Sequence, residues 1–376
     1  EKIFIHACML MFVTILIAGC SSNQQTSKET QIGNETEEEV ITFRFNNSST
    51  MEDIQAAAFA IPWLEGVEEK TNDKVKFEVF SNQELVPIGE ELNALKNGTI
   101  DIAGMFFPTY QPDQFPLSDV TMLPLLKSDT AIAQRAHADL ISSDVKLKDG
   151  KTYTEWEYGQ HGLVVLPAIP TPEYTIGTVD GHELSKAEDF KNLSIRAGGR
   201  AHELFITQLG SSPVSMPWSE EYEALSRGAI DGNLRSIGDY APYGFDEMIT
   251  NAVSGIAIGH FPIVWAMMED DWNALPEEIR NIMKEEAFTL AHENTMKVDA
   301  NQKAIEDAKQ KGIKFIDYSE MDPSGQQLLD KAMENTWMAW IESKEKEGLP
   351  GLETAKLWRD LVIKHGGSVP PGIKDL

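Results

Sequence analysis

Arg196 combines the chemistry and the position expected of a carboxylate-binding residue. It stands at the end of a short predicted strand and before a helix that begins near Ala201. Its planar guanidinium can donate two parallel, charge-assisted hydrogen bonds to a carboxylate, a geometry that lysine cannot reproduce. The alternative is a structural salt bridge to one of the many acidic residues.

Arg235 stands where another predicted strand ends, two residues after Asn233. Two arginines that converge on one cleft would suit a dicarboxylate. The alternative for Arg235 is a surface position, paired with Asp231 or Asp239. Asn233 and Arg235 are therefore candidate ligand contacts from the same strand end.

Several aromatic residues fall on or near predicted loops, where they could sandwich an apolar or ring-bearing ligand. They are Phe106, Phe107, Tyr110, Tyr174, Trp218, Tyr240 and Tyr243. For any one of them, packing in a core is an equally good explanation. We select Phe107, Tyr174 and Trp218 as the candidate contacts.

The motifs of common enzymes are missing from the sequence. It contains no Gly-x-Gly-x-x-Gly, phosphate loop, Gly-x-Ser-x-Gly or His-Glu-x-x-His pattern. No pair among the eight histidines has a convincing metal-ligand spacing. We therefore expect a protein without enzymatic activity, cofactor or metal.

The charge balance narrows the class of partner. The 376 residues include 32 basic and 60 acidic ones, for a net charge of −28. This argues against nucleic acid and against adsorption to an anionic membrane surface. It does not exclude an anionic ligand. Exposed charges are screened over roughly 8 Å, so an arginine in a closed cleft can determine the potential that a small anion experiences there.

The first twenty residues differ from the rest of the chain. A mostly apolar stretch over residues 3–18 is short for a membrane span and indicates a signal peptide over residues 1–19. Ile17-Ala18-Gly19-Cys20 resembles a bacterial lipobox, which predicts lipidation of Cys20. The polar, Glu-rich sequence that follows predicts a flexible tether over residues 20–40.

Strands and helices alternate from residue 41 onward. Hydrophobic periodicity predicts strands over residues 41–46, 75–80 and 100–107, separated by helices over residues 51–71 and 88–97. This order is typical of a largely parallel sheet with helices on its faces.

One segment of the chain is repeated. Glu91 to Asp101 is echoed 130 residues later by Glu221 to Asp231. In both copies a glycine is predicted to end a helix in the left-handed conformation, and a strand follows at once. Two related α/β halves are favoured over chance similarity.

Ligands bind beyond the carboxyl ends of the strands in open α/β sheets. We therefore predict a two-lobed, periplasmic-binding-protein-like α/β fold with a ligand cleft lined by residues 46–51, 106–110, 196–200 and 233–236. Lobe I is predicted to comprise residues 41–166 with part of 251–310, and lobe II residues 167–250 with part of 311–376. A helical pattern over residues 276–310, around 50 Å long if continuous, predicts a helix that bridges the lobes.

Three segments carry a resemblance to a known family. They are Asn192-Leu193-Ser194-Ile195-Arg196, residues 209–225 and residues 228–232, supported by Phe115-Pro116-Leu117 and Trp272-Asn273-Ala274-Leu275-Pro276. With them the chain, from residue 41 to about 362, resembles the solute receptors of tripartite ATP-independent periplasmic (TRAP) transporters, of the dicarboxylate-receptor (DctP-like) type.

The resemblance implies a role for individual residues. Arg196 would bind the ligand carboxylate, Trp218 would lie over the ligand, and Tyr174 would be a further contact. The family often has Asp-Gly-x-x-Asn after the strand of the second lobe, where this chain has Arg235 in place of the asparagine. The choice between a monoacid and a diacid ligand therefore stays open.

The resemblance also implies a function. The chain would capture a small organic acid outside the cytoplasm for uptake by membrane permease subunits, using an ion gradient. With Cys20 lipidated, it would be anchored at the outer face of the cytoplasmic membrane. The alternatives are a receptor that feeds a sensor kinase and, less well supported, an extracellular hydrolase.

Overall fold

Two β-sheets organise residues 40–376, the part of the chain that the computed structural model describes. Residues 1–39, with the predicted signal peptide, Cys20 and nearly all of the tether, lie outside it. The strands are β1 (Ile41–Asn47), β2 (Val75–Ser81), β3 (Ile102–Phe106), β4 (Leu163–Pro167), β5 (Tyr174–Val179), β6 (Ser194–Ala197), β7 (Ser212–Ser215), β8 (Gly232–Ser236), β9 (Ile249–Ser254), β10 (Val264–Met268) and β11 (Lys314–Asp317). The three strands predicted before residue 110 are confirmed as β1, β2 and β3.

Helices cover both sheets. They are α1 (Ile61–Lys70), α2 (Glu91–Lys96), α3 (Thr130–Ile141), α4 (Tyr153–Glu157), α5 (Arg200–Gln208), α6 (Trp218–Ser226), α7 (Glu269–Ala274), α8 (Glu277–Glu293), α9 (Met296–Gln310), α10 (Pro323–Lys346), α11 (Gly351–Lys364) and α12 (Pro371–Lys374). A π-helical turn, Ala56–Ala60, runs directly into α1. Within residues 40–376, no helix is both long enough and apolar enough to span a membrane.

Five strands of each sheet have the same order and directions, and the second sheet has a sixth strand, β11, at its edge. The first has the strand order β2-β1-β3-β10-β4, with β1 parallel to β2 and β3, and β10 antiparallel to β3. The second has the order β7-β6-β8-β5-β9-β11, with β6 parallel to β7 and β8, and β5 antiparallel to β8. We call the first sheet with its helices lobe I and the second lobe II. The predicted two-lobed α/β fold is confirmed.

The echoed segments have the same structure in the two lobes. The prediction of left-handed glycines is confirmed by φ values of +72° at Gly98 and +67° at Gly228. Thr99 N–H donates to the Ala94 carbonyl at 2.9 Å. In the second copy, Ala229 N–H donates to the Ala224 carbonyl, also at 2.9 Å. Each helix therefore ends in the same turn and leads into the central strand of its lobe.

The chain crosses between the lobes at four places in its described part. It passes from β4 to β5 through residues 168–173 and from β9 to β10 through residues 255–263. It returns to lobe II through α8 and α9, and after β11 it passes back to lobe I through α10. The first three crossings contact one another, since Thr171 N–H donates to the Phe261 carbonyl at 3.1 Å and Lys297 on α9 donates to the carbonyls of Ile169 and Pro170.

The helical pattern over residues 276–310 is not one helix. α8 ends at Glu293, and Asn294 is extended, with φ −74° and ψ 123°. The Asn294 side chain accepts a hydrogen bond from Met296 N–H at 2.9 Å, at the beginning of α9. An asparagine that bonds the following backbone competes with helix continuation, and this ends the pattern that periodicity alone predicted.

The long helix that contacts both lobes is α10, with 24 residues. Near its beginning Gly325 packs against the Ser185 backbone of lobe II so closely that a Cβ would be 2.0 Å from the Ser185 carbonyl oxygen. Farther along, Trp337 and Trp340 donate 2.8 Å hydrogen bonds to the Pro124 carbonyl and the Asp119 carboxylate. The predicted segment 276–310 does connect the lobes, but as two helices, and the single long helix that contacts both lobes is α10.

Aromatic packing forms the core of lobe I. The Trp265 ring lies 4.2 Å from Trp63 and 4.8 Å from Phe45, centroid to centroid. The Phe45 ring covers Gly104 on β3, where a Cβ would lie 2.1 Å from the ring. Only glycine fits at this point, and the packing fixes β3 against β1, whose carboxyl ends face lobe II.

Candidate ligand-binding site

A cavity of about 360 Å³ lies between the lobes, at the carboxyl ends of their strands. Lobe I contributes the residues that follow β1 and β3, among them Ser49, Phe107 and Tyr110. Lobe II contributes Trp218, Arg235 and the turn after β8. A third wall is formed by one face of α9, with Lys297, Asn301, Lys303 and Asp307.

Three of the four segments predicted to line the cleft do so. Residues 46–51, 106–110 and 233–236 each contribute at least one lining residue, whereas residues 196–200 contribute none. The lining residues from α9 and from Thr171 and Pro172 lie outside all four segments. They belong to crossings between the lobes, which a rule based on strand ends does not include.

Arg235 lines the cavity, yet its guanidinium is only 4% exposed. Nη1 donates to Glu221 Oε2 at 2.9 Å, and Nε lies 3.1 Å from Asp239 Oδ2 without hydrogen-bond geometry. Burial opposes its charge, but the carboxylates of Asp239 and Glu221 outweigh burial and raise the pKa of Arg235 well above its usual value. The expected pairing with Asp239 is thus present, but in a buried site rather than on the surface.

Arg196 lies behind the cavity wall rather than in it. Its side chain is fully buried, with Nε 3.2 Å from the Met216 carbonyl and 3.5 Å from Glu221 Oε2. Nη2 is buried and has no hydrogen-bond partner among the described residues. A Cβ on Gly198 would touch both this guanidinium and the ring of Phe261, which lines the cavity, so Arg196 belongs to the next layer.

Glu221 is the residue that joins the two arginines, and the sequence prediction did not select it. It is fully buried, and its second oxygen accepts a 2.6 Å hydrogen bond from Asn233 Nδ2. Asn233 therefore holds Glu221 and does not line the cavity. The repeat contained a signal, since Glu91 occupies the equivalent position and is also fully buried.

The aromatic candidates divide into cavity wall and core. Phe107, Tyr110, Tyr174, Trp218 and Tyr243 line the cavity, together with Phe261, which was not predicted. Phe106 and Tyr240 are core residues, each at most 1% exposed. The rings form two groups: Trp218 lies 5.3 Å from Tyr243, and Phe261 lies 5.8 Å from Phe107 and 5.1 Å from Tyr110.

Besides Arg235, the cavity contains the cation Lys297 on α9, which the sequence analysis did not select. It lines the cavity although it is fully buried, and burial lowers its pKa to about 7. Its ammonium donates to the carbonyls of Ile169 and Pro170 and to the Gln55 side chain. Lys297 thus fastens α9 to the crossing between β4 and β5.

No group of three or more His, Cys, Asp or Glu side chains within residues 40–376 is arranged to hold a metal ion. The cavity instead offers a buried guanidinium, an aromatic wall and several carboxylates. This arrangement suits non-covalent binding of a small polar molecule with an apolar part.

Relatives with known ligands are similar to the chain over most of its length. A C4-dicarboxylate-binding periplasmic protein of Rhodobacter capsulatus is 24% identical over 256 residues, which cover 67% of this chain and 73% of that protein. A monocarboxylate 2-oxoacid-binding periplasmic protein of Nostoc sp. is 25% identical over 292 residues, which cover 75% and 73%.

Solved structures share the fold at lower identity. A marine-metagenome TRAP solute-binding protein specific for aromatic acids, in complex with 3-hydroxybenzoate, matches with a TM-score of 0.75 and 20% identity, over 87% of this chain and 99% of that one. A TRAP solute-binding protein of Rhodoferax ferrireducens with copurified benzoate matches with a TM-score of 0.72 and 20% identity, over 87% and 98%.

The family assignment rests on the extent of the sequence match. The family model for bacterial extracellular solute-binding proteins, family 7 (DctP), matches residues 45–344. This range includes most of both lobes and every residue that lines the cavity. The chain belongs to the bacterial extracellular solute-binding proteins of family 7.

Proposed function

We propose that this chain captures a small organic acid in the cavity between its lobes and delivers it to the membrane permease subunits of a TRAP-type transporter. The observation that carries the proposal is a buried arginine, Arg235, in an aromatic cavity at the carboxyl ends of both sheets. The relatives support it, because their ligands are dicarboxylates, 2-oxoacids and aromatic acids.

The geometry gives a route for carboxylate binding. Arg235 directs Nη1 to Glu221, whereas its Nε contact with Asp239 lacks hydrogen-bond geometry, so a ligand carboxylate can replace Asp239 as the partner on the cavity side. Arg196 holds an unpaired Nη2 one layer behind. Charge-assisted hydrogen bonds in such a dry site are stronger than neutral ones.

A receptor, rather than an enzyme, is the function that we propose. Among the described residues that line the cavity there is neither histidine nor cysteine, and no hydroxyl of the lining is hydrogen-bonded to a carboxylate or lysine side chain. The residues that face the ligand space can bind and orient an acid, and the structure holds no preformed pair of nucleophile and base among them.

Binding of organic acids tests the proposal. Arg235→Lys keeps the positive charge but loses the two parallel N–H donors of the guanidinium. We therefore expect the affinity of the variant for the tightest-binding acid of a mono- and dicarboxylate panel to fall about tenfold to a hundredfold. Calorimetry on protein stripped of copurified ligand measures this. Arg227→Lys, at an exposed pair with Glu223, is the matched control. Unchanged affinity in Arg235→Lys would place the carboxylate elsewhere, and wild-type protein that binds no acid contradicts the proposed function.

We also propose that the receptor is held at the outer face of the cytoplasmic membrane by a lipid on Cys20. The support is the sequence Ile17-Ala18-Gly19-Cys20 after an apolar stretch, and a polar tether has no membrane affinity of its own. Cys20→Ser should move the protein from the detergent phase to the aqueous phase in a partitioning assay. Equal partitioning of the two proteins would contradict the anchor.

A further inference from the structure

The charges around the cavity do not match a ligand that is only an anion. Among the described residues, the lining includes three basic side chains and four acidic ones: Arg235, Lys297 and Lys303 against Glu52, Asp53, Asp239 and Asp307. A cavity built for a simple carboxylate needs an excess of positive charge or of hydrogen-bond donors. This cavity has the opposite balance.

The basic side chains are, moreover, already engaged. Arg235 faces both Glu221 and Asp239, and Lys303 donates to Asp307 at 2.5 Å. Lys297 has no carboxylate within ion-pair distance, but its three acceptors are Gln55 and two backbone carbonyls. An ammonium carries three hydrogens, so Lys297 has none left for a ligand.

Among the described residues, Glu52 and Asp53 are the acidic lining residues without an ion-pair partner, and Asp53 is the more buried of the two. It follows β1 in lobe I, is partly buried and lines the cavity, and it forms no ion pair with any residue between 40 and 376. Oδ1 accepts the Ala56 N–H at 2.9 Å. Burial raises the pKa of Asp53 by more than nearby Lys297 and the backbone N–H groups lower it, so its charge is only partly compensated.

Asn301 provides an independent sign that a donor is missing. Its Nδ2 donates to Glu173 at 3.1 Å, whereas Oδ1 is buried and has no partner among the described residues. The side chain is 5% exposed and lines the cavity. Oδ1 lies over Gly238, another lining residue, where a Cβ would come within 2.8 Å of it. A buried acceptor left unpaired is costly, so a donor on the ligand would satisfy it.

These two acceptors lie in the same part of the cavity. Asn301 is one helical turn beyond Lys297 on α9, and Lys297 donates to Gln55, two residues from Asp53. Arg235 lies close by in lobe II, since Asn301 packs on Gly238 and Asp239 lies 3.1 Å from Arg235 Nε. The cavity thus brings a guanidinium close to two incompletely satisfied acceptors, as the adjacent charges of a small zwitterion require.

We propose that the ligand is a zwitterion of the amino-acid type, whose carboxylate binds Arg235 and whose ammonium binds Asp53 and Asn301. This inference rests on the proposed function and specifies its ligand class. A zwitterion is neutral overall, so it does not add to the negative charge of the lining. It also supplies a partner for Arg235, a cation for Asp53 and a donor for Asn301 Oδ1.

A panel of matched ligands tests this inference. Each set holds a carboxylic acid, its α-amino acid and the amine without the carboxylate, for example pentanoate, norvaline and butylamine, and phenylpropanoate, phenylalanine and phenethylamine. Calorimetry on stripped protein gives the affinity for each. We expect the amino acid of the best-fitting skeleton to bind wild-type protein at least about tenfold more tightly than the matched acid.

Asp53→Asn separates recognition of the ammonium from stability. Asparagine can still accept the Ala56 N–H, so the loop is kept, but the counterion is lost. We expect affinity for the amino acid to fall about tenfold or more, while affinity for the matched acid stays the same or increases. Glu65→Gln, an exposed carboxylate of the same lobe, controls for net charge and should change neither.

The outcomes distinguish this inference from the function on which it rests. Tighter binding of acids than of their amino acids by wild-type protein overturns the zwitterion and leaves an organic-acid receptor. Equal losses for acid and amino acid in Asp53→Asn also overturn it, because a structural effect does not discriminate between ligands. Wild-type binding of amines alone, or of no member of the panel, contradicts both proposals.

Discussion

The echoed segments of the two lobes place a buried glutamate at the same position, in different surroundings. Glu91 in lobe I accepts hydrogen bonds from Ser48 Oγ at 3.1 Å and Gly89 N–H at 2.8 Å, all neutral groups. Glu221 in lobe II faces Arg235 at 2.9 Å and Arg196 at 3.5 Å. Burial raises the pKa of Glu91 to about 7.

The difference shows how one scaffold acquired two roles. The backbone, the glycine turn and the glutamate are common to both lobes, so they belong to the fold. The arginines occur only beside Glu221, where the carboxylate fixes their orientation at the edge of the cavity. Lobe II thus carries the anion-binding groups, and lobe I carries the opposite wall.

Removing the charge of the lobe II glutamate should have the largest effect. Glu221→Gln leaves the buried guanidiniums of Arg235 and Arg196 without this carboxylate, which should cost roughly 3 to 5 kcal/mol of unfolding free energy. Urea unfolding at neutral pH measures the loss. A Glu221→Gln protein as stable as Glu91→Gln would mean that the two sites are equivalent after all.

The lobe I glutamate should instead make stability depend on pH. Its folded pKa of about 7 lies above the unfolded value of 4.5, so the folded state binds the proton more tightly. This contribution is full below pH 4.5 and is lost as the pH rises through 7, by roughly 3 kcal/mol at most. Glu91→Gln should therefore flatten the pH dependence of the urea midpoint between about pH 5 and about pH 8. An unchanged slope would show that Glu91 is ionised throughout.

Substitution of the turn glycines by alanine should have the smallest effect on stability, and the effect should be equal in the two lobes. Gly98 and Gly228 have positive φ and no atom within 4 Å of an added Cβ, so alanine introduces backbone strain alone. Gly98→Ala and Gly228→Ala should each cost about 1 kcal/mol of unfolding free energy. Thermal unfolding of the two variants side by side compares them, and a clear inequality would mean that the repeat differs in its backbone as well.

Much of the fold followed from local patterns. The strands β1, β2 and β3 and the left-handed turns at Gly98 and Gly228 depend on neighbouring residues, so periodicity and glycine predicted them. The helix break at Asn294 was missed because the apolar spacing continues through it. Its cause is a side chain that bonds the backbone two residues ahead.

The candidate site was predicted in part. Phe107, Tyr174, Trp218 and Arg235 line the cavity, whereas Arg196 and Asn233 lie behind it. Lys297, Asp53 and Phe261 were not selected, since none stands at the end of a predicted strand that the cleft rule includes. Each reaches the cavity through a crossing or a loop, whose course depends on how the lobes are joined.

The sequence alone determined the family, the two related halves and the arginines beside the second copy of the repeat, because these reside in residue types and short spacings. The tertiary structure decided which arginine faces the cavity, that α10 contacts both lobes, and that among the described residues Asp53 has no ion pair and Asn301 Oδ1 no donor. These features depend on contacts between residues far apart in the chain, such as Gln55 with Lys297. Such contacts bury polar and charged groups, and a buried group of this kind needs a partner of opposite charge or a hydrogen bond.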